Sequence, residues 1–227
     1  DITTAVMTLA SFRANPRQGH LDRAKRIYGY LYKYRNGAIR IRTTEPDYSA
    51  LPDKHYEWEH SIYEGAEELL PNDAPKPLGK PVVMTTYVDA NLYHDYVNGR
   101  SVTGVLHLFN QTVVDWYSKK QATVETATYG SEFAAARTAI QQIAAMRVML
   151  QYLGVPISES SYLFGDNESV VKSGSIPHST LSKRHHALAY HYTREAVASK
   201  MVDFHHIPGD INPSRVHILE VFHLVGL

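Results

Sequence analysis

The chain has 227 residues, with 23 Lys and Arg against 23 Asp and Glu, so it carries no net field that would by itself draw it to nucleic acid. It has no cysteine, which excludes a disulfide framework and a thiolate metal centre. Its length allows one large domain or two small ones, and no apolar run approaches the ~20 residues that cross a bilayer, so no membrane partner is expected. The first residues lack the basic start of a secretion signal, which predicts an intracellular protein that is not secreted. The 16 tyrosines are expected mostly as half-buried packing residues.

In chain order, Ala5, Leu9 and Phe12, then Leu21, Ala24, Ile27, Tyr28 and Leu31, recur at helical spacing. Asn15-Pro16 divides them into two short helices. Residues 38–42 alternate and predict a strand. Residues 43–80 are rich in proline and acid, which predicts a linker, with a short helix over 58–70. The apolar run 82–89 predicts a central strand ending at Asp89. Two further strands, 102–109 and 112–118, are joined by the tight turn Asn110-Gln111. An alanine-rich helix is predicted over 129–153, stopped by Gly154. A strand over 161–165, a helix over 167–173, a helix over 183–199 and a strand over 201–207 complete the series. This order suits a mixed α/β sheet: three antiparallel strands, then two that return in parallel.

Asp89, Glu132 and Asp166 fall at a strand end, in the first turns of the long helix, and just after a second strand. If those elements pack together, the three carboxylates converge. Such a cluster repels itself unless cations neutralise it. Hard oxygen donors with open positions suit Mg2+, with Mn2+ as a substitute, held together with substrate phosphates.

These residues also carry a resemblance. Tyr87-Val88-Asp89-Ala90, Arg100-Ser101-Val102-Thr103-Gly104, the run from Ser118 to Val124, Ser131-Glu132-Phe133, Gly165-Asp166-Asn167-Glu168-Ser169 and Tyr190-His191-Tyr192-Thr193-Arg194-Glu195 occur in order over residues 81–213. Together they resemble the ribonuclease H domain of copia-type retrotransposon polyproteins. Residues 1–42, with His20-Leu21 and the run from Ala24 to Leu31, resemble the end of the preceding reverse transcriptase. The resemblance implies a ribonuclease-H-like mixed five-stranded sheet flanked by helices and preceded by a small helical segment. It implies hydrolysis of the RNA strand of an RNA–DNA hybrid with two divalent metal ions. Asp89, Glu132 and Asp166 stand where that family has metal-binding, catalytic carboxylates. The hybrid and the reverse transcriptase portion of the same polyprotein are the implied partners, and a cytoplasmic particle or the nucleus is the implied place.

One position departs from the pattern. The turn Ile207-Pro208-Gly209-Asp210-Ile211-Asn212-Pro213 matches the family's approach to a fourth aspartate, yet Arg215 stands where that acid is expected, and residues 214–227 diverge. A fixed positive charge disfavours a second cation there. Two readings follow, an impaired nuclease and a catalytically inactive hybrid-binding or scaffolding remnant. Lys183, Arg184 and Arg194 make the last helix region basic, which reads either as a phosphate-tracking surface or as a solvated face. Asn167 either caps the following helix or touches substrate. His185-His186 and His205-His206 do not favour zinc, because neighbouring side chains on one element point apart.

Overall fold

The computed structural model describes residues 2–38, 40–52, 56–69, 71–95, 99–125, 127–181 and 184–214. Two helices, α1 (Thr3–Ala10) and α2 (Gln18–Lys33), come first. The sheet strands are β1 (Met84–Asp95), β2 (Arg100–Phe109), β3 (Thr112–Lys120), β4 (Ser161–Gly165) and β5 (Val202–His206). Between them lie α3 (Thr128–Tyr152), α4 (Glu168–Ser175) and α5 (Ala187–Ala198). The sheet order is β3-β2-β1-β4-β5. β1 pairs antiparallel with β2 and β2 with β3, while β1–β4 and β4–β5 are parallel. This is the mixed five-stranded sheet expected from the sequence, three antiparallel strands and then two that return in parallel.

Side-chain alternation along β1 decides what each face does. Thr86 pairs with His107 of β2, and the His107 ring bonds Thr86 Oγ1 at 2.8 Å and Gln142 Oε1 of α3 at 3.0 Å. Met84, Thr86, Val88 and Ala90 therefore point toward α3, and all four are buried. They meet Phe133, Ala136, Ala139, Ile140 and Ile143 of α3 in the main core. The alanines of α3 let the helix lie close on the sheet. Burial holds the His107 imidazole below its usual range, so it sits neutral in the core. α4 and α5 pack beside α3 on this face, and Gly174 is needed there: a Cβ would come within 2.9 Å of Thr193 Cγ2.

The opposite face of β1 and β4 carries Thr85, Tyr87, Tyr162 and Phe164. Tyr48 covers it. Its ring lies 4.4 Å from that of Tyr162 and 5.4 Å from that of Phe164, and its hydroxyl pairs with Thr85 Oγ1 at 2.8 Å. Burial pushes the Tyr48 phenol well above its ordinary value.

Residues 43–80 depart from the expectation of a loosely docked linker. Arg147 of α3 is 4% exposed, and its guanidinium grips Glu68 through Nε at 2.7 Å and Nη2 at 2.6 Å. The same guanidinium bonds Ser161 Oγ and the Glu159 carbonyl. Leu78 N–H donates to Gly154 O at 2.9 Å, and Val82 N–H to Pro156 O at 2.9 Å. Proline and acid mark the absence of regular structure, not the absence of docking. The helix expected over 58–70 is also replaced: its described residues form successive turns, with Ser61 N bonding Trp58 O and Ala66 N bonding Tyr63 O. The described residues of 38–42 form no strand. Arg42 instead pairs with a side chain, donating to Thr112 Oγ1 at 2.7 Å and accepting from it at 3.0 Å.

The amino-terminal helices own a very small core, Ala5 and Ile27 with Ile2 and Leu9 against them. α1 rests against β3. Elsewhere the expected boundaries hold within a few residues. β1 is the exception, running past Asp89 to Asp95 because its pairing with β2 continues on the far side.

Candidate metal centre

Three elements set the site. Val88 of β1 pairs with Gly165 of β4, so Asp89 and Asp166 follow one rung of two adjacent parallel strands. Gly165 leaves room for β5 beside it: a Cβ would sit 3.2 Å from Phe204 Cε2. α3 crosses above and presents Glu132. Carboxylate oxygens of Asp89, Glu132 and Asp166 all lie within 4.8 Å of one another. Asp89 is 7% and Glu132 5% exposed, and Asp166 is half-buried. They line an open cleft of about 540 Å³ with Asn91, Thr128 and Asn167.

The electrostatics follow from this crowding. Burial raises the Glu132 pKa well above the usual carboxylate range, the negative charges of Asp89 and then Asp166 push it further, and the Ala90 N–H opposes them. A buried acid facing two others must take up a proton or share a cation. An all-oxygen donor set of three carboxylates, open on the cleft side, fits a hard divalent ion that keeps part of its water shell. No second group of this kind occurs among the described residues.

Asn167 caps α4, its Oδ1 accepting from Val170 N at 3.2 Å, and it also lines the cleft. The structure thus gives it the capping role and leaves it beside any ligand. Arg184 is exposed at the start of the 3-10 turn Arg184–His186. Lys183 and Arg215 lie outside the described residues.

Arg194 is a correction. It is not on a phosphate-tracking surface but 2% exposed. Its guanidinium donates to the carbonyls of Ser173, Ile176 and Pro177 at 2.6–2.8 Å. It lies 4.8 Å from the Trp58 ring, 5.1 Å from Tyr63 and 4.9 Å from Tyr190. The sequence shows the charge; the carbonyls at the end of α4 that claim it become neighbours only in the fold.

The sequence reading gave no structural role to Asn212 or to the His186–Glu125 pair. Asn212, 1% exposed, donates from Nδ2 to the Val88 carbonyl at 2.9 Å, and its Oδ1 accepts from Ser214 N and Oγ. It ties the proline-containing turn to the residue before Asp89. Asp210 in that turn is exposed and stands outside the carboxylate group. The His186–Glu125 pair, 3.7 Å apart and buried, fills the space that a Cβ on Gly130 would need. The Ser-Glu motif two residues on signals the helix start but not this packing. The histidine pair on β5 divides as expected, His205 buried and His206 exposed, with His206 Nε2 on the Asp166 carbonyl at 3.1 Å.

No protein-family model matches the chain. It is similar to a retrovirus-related Pol polyprotein from the transposon TNT 1-94 of Nicotiana tabacum, 26% identical over 136 residues. That match covers 60% of this chain and 10% of the polyprotein, so the chain spans about a tenth of that relative's length. Among solved structures it is similar to ribonuclease H1 from the archaeon Halobacterium salinarum, with 14% identity and a TM-score of 0.45 over 58% of this chain and 89% of that one. LC11 ribonuclease H1, solved in complex with an RNA/DNA hybrid, gives 14% and 0.45 over 57% and 88%. The protease–reverse transcriptase of Prototype Foamy Virus gives 14% and 0.40 over 67% and 22%.

Proposed function

We propose that this chain is the ribonuclease H domain of a copia-type retroelement polyprotein, built to hydrolyse the RNA strand of RNA–DNA hybrids with Mg2+, or Mn2+ in its place. The observation that carries the reading is the convergence of Asp89, Glu132 and Asp166 on one cleft. The similarity to a retrotransposon Pol polyprotein supports it. Asp89, Glu132 and Asp166 would hold the cations. When bound, these would polarise the scissile phosphate and lower the pKa of a bound water. The chain's own contribution is position. β1 and β4 fix the two aspartates one rung beyond a shared backbone pair, and α3 supplies Glu132 from above. Asn212 holds the Val88 carbonyl and with it the backbone that carries Asp89. Asn167 lines the cleft and would steady the hybrid backbone there, and the exposed Arg184, with Lys183 beside it in sequence, would add a cation for its phosphates. In this reading residues 1–42 belong with the reverse transcriptase portion of the same polyprotein, and the protein acts inside the cell.

A second reading rests on Arg215. A guanidinium where the family has its fourth acid removes a ligand and adds a charge that repels a cation. Loss of several kcal/mol in the transition state, at ~1.4 kcal/mol per tenfold, would leave a hybrid-binding domain with weak or absent cleavage. The test is cleavage of an end-labelled RNA–DNA hybrid with Mg2+ and with Mn2+, by the chain and by Arg215→Asp. The nuclease reading expects cleavage that Asp89→Asn abolishes and Arg215→Asp enhances. If Arg215→Asp also fails to cleave, yet hybrid is bound, the inactive remnant is the correct reading.

A further inference from the structure

The balanced charge of the chain conceals a division. Residues 1–42 carry nine Lys and Arg against two Asp and Glu; residues 43–80 carry nine Asp and Glu against three Lys. The basic part folds as α1 and α2, and α2 turns Ile27 toward α1. Its opposite side faces solvent with Leu21, Lys25, Tyr28 and Tyr32 at positions i, i+4, i+7 and i+11, one stripe of the helix. Leu21 is 51% exposed, and Tyr28 and Tyr32 are each 72% exposed. Gly29 beside the stripe leaves open space, with nothing within 4 Å of where a Cβ would be. Arg35 sits 4.7 Å over the Tyr32 ring and Lys33 5.2 Å over that of Tyr34, so cations flank the aromatic rings.

The composition of this stripe separates two kinds of partner. The centre of a polypeptide interface is depleted in charge. Here Lys25 lies between Leu21 and the two tyrosines, and Arg35 sits over the Tyr32 ring. Cations set beside exposed aromatic rings match a nucleic-acid strand: cations take the phosphates, and rings stack on bases whatever their identity. β3 links the helical pair to the strand that carries Asp89. α1 rests on β3, and the exposed Lys119 of β3 pairs with Thr103, which in turn pairs with Ala90, the neighbour of Asp89.

We propose that the exposed stripe of α2, with Lys25 and the adjoining Arg35 beside Tyr28 and Tyr32, binds the single-stranded continuation of the nucleic acid whose duplex part occupies the carboxylate cleft. This rests on the nucleic-acid reading of that cleft. The phosphates of the strand run along the cations, and unpaired bases stack on the tyrosines.

The test is fluorescence anisotropy of the full chain with three labelled probes: a blunt RNA–DNA hybrid, the same hybrid with a ten-nucleotide single-stranded extension, and the single strand alone, each titrated across a salt series. Two sets of surface variants are compared, Lys25→Gln/Arg35→Gln and Tyr28→Ala/Tyr32→Ala. Circular dichroism confirms the fold, and a Mn2+-induced rise in Tm confirms that the carboxylate site is intact. The extended hybrid should bind the parent chain more tightly than the blunt one. The charge variant should lose that advantage, with the slope of log K against log salt falling by about 1.4, near 0.7 per single-strand phosphate contact. The tyrosine variant should lose tenfold or more on the single strand with its slope unchanged. Equal binding of extended and blunt hybrids, or variants that bind every probe like the parent, would overturn the proposal and assign the stripe to a polypeptide. Loss confined to the variants in a chain that takes up no Mn2+ would leave the stripe in place and remove the metal reading of the cleft instead.

Discussion

Glu132 is the residue on which the site turns, and its chemistry fixes a sign. Its pKa in the fold is raised above the ordinary carboxylate value by burial and by Asp89 and Asp166. Between the unfolded and folded pKa values the folded state holds a proton that the unfolded state has released. Stability therefore falls as pH rises through that window, and the full penalty stands above it. Glu132→Gln should raise the Tm of the metal-free chain at pH 8 by about 2–4 °C per kcal/mol recovered, and by nothing at pH 4. A Tm that falls at pH 8 would mean that the carboxylate is satisfied without a cation. Arg194 makes the opposite case. Its charge is legible in the sequence, but its role depends on three carbonyls and three aromatic rings brought together by folding. Arg194→Gln should cost roughly 2–4 kcal/mol of stability, measured by urea denaturation, through orphaned buried carbonyls. Hybrid affinity per folded molecule should stay unchanged.

At the scale of elements, legibility follows the strength of the local pattern. α3 is readable because 25 residues of helix former end at a glycine, and the β2–β3 hairpin because Asn110 takes the positive φ its turn requires. The far half of β1 is not, since Asn91, Tyr93 and His94 carry no strand alternation and their state depends on pairing with β2. Residues 43–80 show the same limit from the other side. Nothing local says that Glu68 will meet Arg147 across 79 residues. Removing one partner of a buried pair leaves the other charge uncompensated, so Glu68→Ala should destabilise by ~3–5 kcal/mol. Arg147→Met with Glu68→Leu should restore most of that. Urea denaturation of the single and double variants gives the coupling, and additive losses would show that the segment is merely laid on the surface. Hydrogen exchange supplies an independent reading: the amides of Leu78 and Val82, bonded to Gly154 and Pro156, should be protected nearly as well as those of β4.

Over the whole molecule, the sheet order places two acids on adjacent parallel strands and one on the helix above, while the segment before β1 closes the opposite face through Tyr48. The triad was legible because each acid sits at a recognisable junction and the three occur in a family's order. Asn212 was not, because an asparagine in a proline-rich turn has many uses and only the fold brings it to the Val88 carbonyl. The account stands or falls on whether the cleft takes up divalent metal. Titration of Mn2+ into the full chain, with free ion followed by electron paramagnetic resonance, measures this without requiring cleavage. The parent chain should bind at least one Mn2+, displaced by excess Mg2+, and Asp89→Asn and Asp166→Asn should each weaken that binding tenfold or more. Absence of saturable uptake, or uptake indifferent to both substitutions, would contradict the metal centre.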